Sequence, residues 1–334
     1  MKPHQIASLV LVGTCALWAF SFPILKSLQM VGQARVPSAS SFFLSTLLVA
    51  IRFSLAAVLF GPWILRRRPS IGGGSPSGLV TRLELVQGGG IGLFGGLGLV
   101  LQMDGLAYTS GSVSAFLTQG YAVLIPIWVS ISHRRLPSRA SMGACVTVLI
   151  GAAILSGVSP DRLSLGRGEW ETLAGSVLFA AQILWLERPA FRENRSLVAT
   201  TLMFAVMAAV CWPLAIHLAP PSVEPWTPFS SGPALLLIGL LIGVCTVVTF
   251  PLANHWQPKV PAIQAGLLYC TEPVFTALVC LFLPSWLSKV AQIDYPDEQV
   301  DWRLLVGGGA ILSANIWTQL TPNQTFPESP AEAR

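Results

Sequence analysis

Ten apolar stretches, each close to the roughly 20 residues that an α-helix needs to cross a bilayer, recur along this chain with short polar, Pro-rich or Arg-rich breaks between them. They fall at Ile6–Leu28, Phe42–Leu65, Leu85–Tyr108, Ser112–Ser132, Ala140–Val158, Thr172–Leu186, Leu197–Leu218, Ala234–Leu252, Ala262–Leu283 and Leu304–Leu320. A bilayer admits only helices and closed barrels, and a barrel would read as shorter alternating segments, which do not occur here. The pattern therefore predicts an all-α polytopic membrane protein with ten transmembrane helices. At 53% hydrophobic and 10% charged residues, the chain holds more apolar surface than a water-soluble domain could bury. The longest breaks, 66–84 and 284–302, are too short for a soluble domain, so any chemistry happens within the membrane.

The net charge of +5 reflects topology rather than nucleic-acid binding, because nearly all basic residues lie in the breaks. With the amino terminus inside, thirteen Lys and Arg fall on the inner side and six on the outer, which predicts cytoplasmic termini and a plasma-membrane (bacterial inner-membrane) location. The first run is too long for a signal peptide and lacks a small-x-small cleavage site, so it reads as the first span. The six cysteines sit inside apolar runs without metal-ligand spacing and read as packing residues; no cofactor or metal is expected.

Glu272 lies near the middle of the Ala262–Leu283 run. A charged side chain at a bilayer centre costs roughly 2.5 to 3.5 kcal/mol on insertion scales, so it should face a bundle interior or a wet cavity. Pro273 beside it removes a backbone donor and displaces the carbonyl of Tyr269. In the third span Gly88, Gly92 and Gly96 recur every four residues, flanked by Gly89, Gly95 and Gly98, and the eighth repeats the device at Gly239 and Gly243. Small residues so spaced let helix backbones approach closely.

The segment Ala115–Ser130 can be laid on Ala265–Cys280, with Gln119 over Tyr269. The fourth and ninth spans then occupy matching places in two halves of five, which an odd number forces to be inverted: 1–158, 169–320, and a short cytoplasmic tail over 321–334. Several stretches carry a further resemblance: LWAFSFPILKS at Leu17–Ser27, IRFSLAAVLF at Ile51–Phe60, GLAYTSGSVSAFLTQGYAVLIPIW at Gly105–Trp128, AAQILWLERPAF at Ala180–Phe191 and LLYCTEPVFTALV at Leu267–Val279. In order and spacing the chain resembles the drug/metabolite transporter superfamily, and within it the EamA-type ten-helix permeases. The resemblance places Trp18 and Lys26 in a first-helix motif, Arg52 in a second-helix Arg-Phe motif, and Glu272 with Pro273 in a ninth-helix Glu-Pro motif. It implies a secondary-active exporter of a small metabolite or drug-like solute, working by alternating access. The departures are Met103, Asp104 and Gly105 in a turn where relatives run neutral, and a longer last outer loop.

Arg52 and Glu272 lie halfway along their spans and could share a depth, either as a mutual pair or with Arg52 holding an anionic substrate. Asp104, one turn from the outer end of its span, reads as a solvated mouth residue. Tyr269, Glu272 and Thr276 share one helical face with Ala265. Gln119, Trp18 (with Thr14 and Ser21), and Gln182 with Trp185 are the other amphipathic side chains within spans. Together with Arg52 and Asp104 these form the candidate substrate and proton pathway, with Glu272 the group through which proton coupling would run. Trp63, Trp170, Trp226 and Trp302 read as interface anchors. The partners expected are the lipid bilayer and a small-molecule substrate, not nucleic acid. No catalytic constellation is present: His4, His133, His217 and His255 are scattered and no phosphate-binding loop occurs. The rival classes are a receptor or scaffold and, less well supported, an intramembrane enzyme.

Overall fold

The computed structural model describes residues 3–66, 80–109, 111–134, 137–155, 166–221, 223–299 and 302–320. The expected tail over 321–334, the end of the fifth span, and Lys2, Arg67, Arg68, Arg135, Arg162 and Arg334 of the charge count lie outside the described residues. Among the described residues the chain is helical throughout and contains no strand. In hydrocarbon a backbone must satisfy its own donors and acceptors, and these sequences do so as helices.

The elements are α1 (Pro3–Trp18), α2 (Ser21–Arg35), α3 (Ser41–Arg66), α4 (Arg82–Tyr108), α5 (Gly111–Thr118), α6 (Tyr121–His133), α7 (Arg139–Leu155) and α8 (Arg167–Leu186). They continue with α9 (Ser196–Leu218), α10 (Gly232–Ile242), a π-helical segment (Gly243–Val248), α11 (Thr249–Trp256), α12 (Ala262–Tyr269), α13 (Glu272–Val279), α14 (Leu283–Ala291) and α15 (Trp302–Leu320). Seven stretches are long and apolar enough to cross a membrane: His4–Arg35, Ser41–Pro62, Arg82–Tyr108, Val113–Ser132, Ser196–Leu218, Gly232–Lys259 and Ala262–Val279. The three other expected spans fall on α7, α8 and α15. Of these α7 has only 17 residues, and α8 opens with Arg167, Glu169 and Glu171. The expected loop after residue 283 is in part the helix α14, whose Leu287 is buried.

Three of the long stretches are interrupted: α1 gives way to α2 at Ala19 and Phe20, α5 to α6 at Gln119 and Gly120, and α12 to α13 at Cys270 and Thr271. Proline explains two of the breaks. Pro23 and Pro273 each lack the N–H that would bond four residues back, to Ala19 and Tyr269. The π segment places a fourth irregularity in the stretch from Gly232 to Lys259.

Helix α4 is the central strut, packed against both α8 and α9. A Cβ added at Gly88 would lie 2.5 Å from Leu202 Cβ and 2.8 Å from the Ala199 carbonyl of α9, and at Gly92 2.8 Å from the Met203 carbonyl. Facing α8, Gly105 and Gly168 meet backbone to backbone: a Cβ on Gly105 would be 2.6 Å from the Gly168 carbonyl. The same device joins α7 to α15 at Gly151 and Gly307. Gly239 and Gly243, expected to act likewise, have nothing within 4 Å of an added Cβ, so they mark no close crossing.

Helix α3 packs on α9, α1 on α11, α12 and α13, α2 on α10 and α14, and α8 on α5 and α6. Two hydrophobic cores result, one around α2, α3, α4, α9 and α10, the other around α1, α6, α7 and α12, and Trp18 packs against both. The outward faces are apolar as well: Val58, Leu59, Leu235, Leu305 and Trp317 are all more than half exposed. In water so large an apolar exterior would aggregate, whereas in a bilayer it is the lipid-facing surface. Trp170, Trp226 and Trp302 are exposed, as interface anchors would be, and the side chain of Trp63 lies outside the described set. All six cysteines are buried and free.

Candidate functional site

A cavity opens where α1, α2, α4, α8, α11 and α12 converge on the interruptions. Its wall includes Trp18, Arg52, Gln182, Tyr269 and Glu272, five of the nine pathway candidates. Six aromatic side chains line it. Trp18 lies 5.4 Å from Phe250 and 5.7 Å from Tyr269, centroid to centroid, and Phe22, Tyr121 and Phe179 extend the lining.

Most of the polar wall is internally committed. The Tyr269 hydroxyl donates to Gln257 Oε1 at 2.9 Å, and Gln257 Nε2 donates to the Ile183 carbonyl. Gln102 donates to Thr118 Oγ1, and Asn254 to Thr200 Oγ1. Gln182 occupies the notch that Gly95 leaves in α4. Such a network holds the wall rigid, as preorganised binding sites require.

Arg52 is 2% exposed, yet it makes no ion pair with any described residue. Its Nε donates to Thr246 Oγ1 at 2.7 Å and its Nη2 to the Cys245 carbonyl at 2.8 Å, both in the π segment. Its guanidinium also stands 5.2 Å from the Phe53 ring centroid and 5.8 Å from that of Phe250. The expected pairing with Glu272 is therefore absent. The widened π turn offers a carbonyl and a hydroxyl that an α-helix would have kept for itself, and these take the place of a counter-charge.

Glu272, the first residue of α13, faces the cavity and forms no hydrogen bond or ion pair with the described residues. The Trp18 indole nitrogen nearby is buried and likewise unpartnered. What the cavity presents is one uncommitted carboxylate within an aromatic enclosure.

Four candidates lie elsewhere. Thr276, one turn beyond Glu272, is buried with its hydroxyl unpartnered among the described residues, and Gln119, in the interruption, donates to the Ala115 carbonyl of α5. Trp185 packs between Phe94 and Phe191 with Arg188 stacked 3.7 Å from its ring centroid. Asp104 is not a solvated mouth residue: it is fully buried and paired with Arg167 at the start of α8, a partner 63 positions along the chain that no local reading could supply. Nearby, Lys26 donates to the carbonyls of Leu106 and Thr109 and closes the last turn of α4. At the other end of α4, Glu84 accepts from Arg195 Nε at 2.6 Å and Nη2 at 2.8 Å and completes a capping box with Thr81. Sequence reasoning missed the cavity residues Tyr121, Phe179, Asn254 and Gln257. For the last two, ending the eighth span at Leu252 hid the signal that two amides follow on the same helical stretch.

A membrane-spanning, all-helical protein with a central cavity is the class these features define. A protein of Archaeoglobus fulgidus named as an uncharacterized transporter is 24% identical over 273 residues, 81% of this chain and 76% of its own length. One solved crystal structure superposes with a TM-score of 0.57 at 19% identity, covering 92% of this chain and 98% of its own, a likeness of fold. No family model matches the chain.

Proposed function

We propose that this protein is a secondary-active transporter of the EamA type, working by alternating access, whose substrate is a small solute with an apolar or aromatic body and a positively charged nitrogen. The observation that carries the reading is Glu272, a carboxylate without a partner among the described residues in a cavity walled by Trp18, Tyr121, Phe250 and Tyr269. A carboxylate in the middle of an apolar span needs a counter-charge, aromatic faces attract cations, and the cationic wall residue Arg52 is already engaged. When no solute is bound a proton can serve the carboxylate, which gives a route for coupling to a proton gradient.

Several observations support a ten-span architecture of two inverted halves, 1–158 and 169–320. The interruption at Gln119–Gly120 and that at Cys270–Thr271 fall within one residue of the positions matched by laying Ala115–Ser130 on Ala265–Cys280. Packing partners also recur when the halves are exchanged: α4 on α8 answers to α1 on α11, and α5 and α6 on α8 answer to α12 and α13 on α1. The transporter name of the A. fulgidus relative agrees. Cytoplasmic termini, a plasma-membrane location and export are the orientation, place and direction we adopt.

The test is flux in sealed proteoliposomes with benzyltrimethylammonium, benzyl alcohol and benzoate, which share a body and differ in charge. Saturable, protein-dependent movement of the cation alone, lost in Glu272→Gln, is expected. Cation movement equal to that in protein-free vesicles would overturn the reading.

A further inference from the structure

We propose that Asp104 and Glu171 hold one proton between them, making the junction of α4 and α8 an acid-stabilised tie beside the cavity. The two carboxylates share a single guanidinium. Arg167 donates through Nη2 to Asp104 Oδ2 and through Nε to Glu171 Oε1 at 2.7 Å. Its third nitrogen, Nη1, donates to the Tyr108 hydroxyl at 2.8 Å, and neither of the two N–H groups that remain bonds either acid's second oxygen.

Those second oxygens, Asp104 Oδ1 and Glu171 Oε2, are both buried and find no donor among the described residues. A buried acceptor left unmet costs about 1 to 3 kcal/mol, and more where it carries charge. Both carboxyl groups bond the same guanidinium, through its neighbouring Nε and Nη2, which holds them side by side. A single proton placed between them turns one orphan oxygen into a donor and the other into its acceptor. It also brings the cluster from a net charge of −1 to neutrality.

The surroundings offer no other remedy. Lys26 on α2 is committed to the Leu106 and Thr109 carbonyls, and Glu169 on α8 is hydrogen-bonded to Thr109. The Tyr108 hydroxyl is shared with Ser41 at the start of α3. Helices α5 and α6 bring no charged side chain to this end, and α9 brings only His217 in its last turn. Burial raises the Glu171 carboxyl from its ordinary value against the lowering effect of Arg167, and the neighbouring Asp104 adds to the rise.

The position gives the proton a consequence. Gly105 and Gly168 touch backbone to backbone here, while Gln102, Met103 and Leu106 on the adjacent face of α4 line the cavity. Loss of the shared proton leaves two carboxylates with one guanidinium beside this close crossing, where Thr172 and Tyr108 fill the glycine notches. The tie then loosens and the cavity wall with it.

The experiment is infrared spectroscopy on the full chain in lipid nanodiscs, in a Glu272→Gln background so that the cavity carboxyl contributes nothing. A protonated-carboxyl carbonyl band that persists above the pH at which ordinary carboxylates ionise, then titrates away, is expected. It should be absent in Glu171→Gln and in Asp104→Asn. Thermal unfolding gives a second readout. A carboxyl whose pKa is raised on folding contributes stability that is complete below its unfolded pKa and is lost as pH rises through the folded one. The melting temperature of the parent should therefore fall over that window, and that of Glu171→Gln should not. Should Asp104→Asn fail to fold, Glu171→Gln alone decides. No band above the ordinary range, or a band that Glu171→Gln leaves in place, overturns the proposal. Neither result involves solute movement, so the transport reading stands or falls separately.

Discussion

Arg52 and Glu272 line one cavity and do not touch, although they are the charged residues that the second and ninth spans carry into the middle of the protein. Each is stabilised in a different way. Arg52 is held by the Thr246 hydroxyl and the Cys245 carbonyl and lies against Phe53 and Phe250. Glu272 has only the positive end of α13, whose first residue it is. A permanent ion pair would have neutralised both and closed the site to charged solutes. Kept apart, the arginine serves the scaffold and the acid stays available.

This separation is measurable by a double-mutant cycle. Arg52→Met strips two hydrogen bonds made by a charged donor and should lower stability by about 1.5 to 3 kcal/mol each, whereas Glu272→Gln should leave stability nearly unchanged. Their coupling energy should lie within about 0.5 kcal/mol of zero, as for independent sites. Thermal or denaturant unfolding in detergent gives all three values. A coupling above about 1 kcal/mol would restore the ion pair.

The aromatic enclosure sets the affinity of a cation. Trp18→Leu removes the ring that lies between Phe250 and Tyr269. With a cation–π contribution of up to about 2 kcal/mol in a desolvated site, Kd for benzyltrimethylammonium should rise by as much as about thirtyfold. Binding of benzyl alcohol should change far less. Equilibrium binding in detergent compares the two, and equal losses would mean that Trp18 only shapes the wall.

The glycines of α4 divide into those that touch and one that does not. Gly88→Val should cost about 1 to 3 kcal/mol or prevent folding, because the added Cβ meets backbone of α9. Gly89→Ala, with open space at its Cβ, should be neutral or slightly stabilising. Gly239→Ala and Gly243→Ala should behave like Gly89→Ala. Melting temperatures of the four variants decide, and a large loss at Gly239 would mean that an unseen neighbour packs there.

Orientation is open to labelling. A cysteine at the exposed Gln299 should react with an impermeant maleimide added outside intact cells, and one at the exposed Glu193 only after lysis. The native thiols, all buried, supply little background. The reverse pattern would invert the adopted topology.

The helical class and most span positions are legible because bilayer-length apolar runs need no tertiary information. The break before Glu272 is legible for the same kind of reason, since Pro273 removes a bond within its own helix. Pro23 obeys the same rule, yet the first run looks continuous because its hydropathy never drops at Ala19. The site is legible only in part. Trp18, Arg52, Gln182, Tyr269 and Glu272 stand out as polar or amphipathic groups in apolar spans. Phe179 and Tyr121 look like any aromatic until the helices are assembled. Arg52 invites a charged partner on electrostatic grounds, and nothing local announces that a π turn nearly two hundred residues away will supply neutral acceptors. Asp104 shows the converse: its counter-charge, Arg167, belongs to another helix.

Where α4 lacks side chains its neighbours supply them: Phe179, Gln182 and Trp185 of α8 and Val206 and Met207 of α9 seat in its glycine notches and fix its axial register. Its tips are fastened as well. Glu84 is gripped by Arg195 and Thr81 at one tip; at the other, Asp104 is gripped by Arg167, and Lys26 holds the final carbonyls. Such a strut is keyed along its length and tied at both ends, so the depth at which Gln102 and Met103 meet the cavity is set by the seam and the tips together.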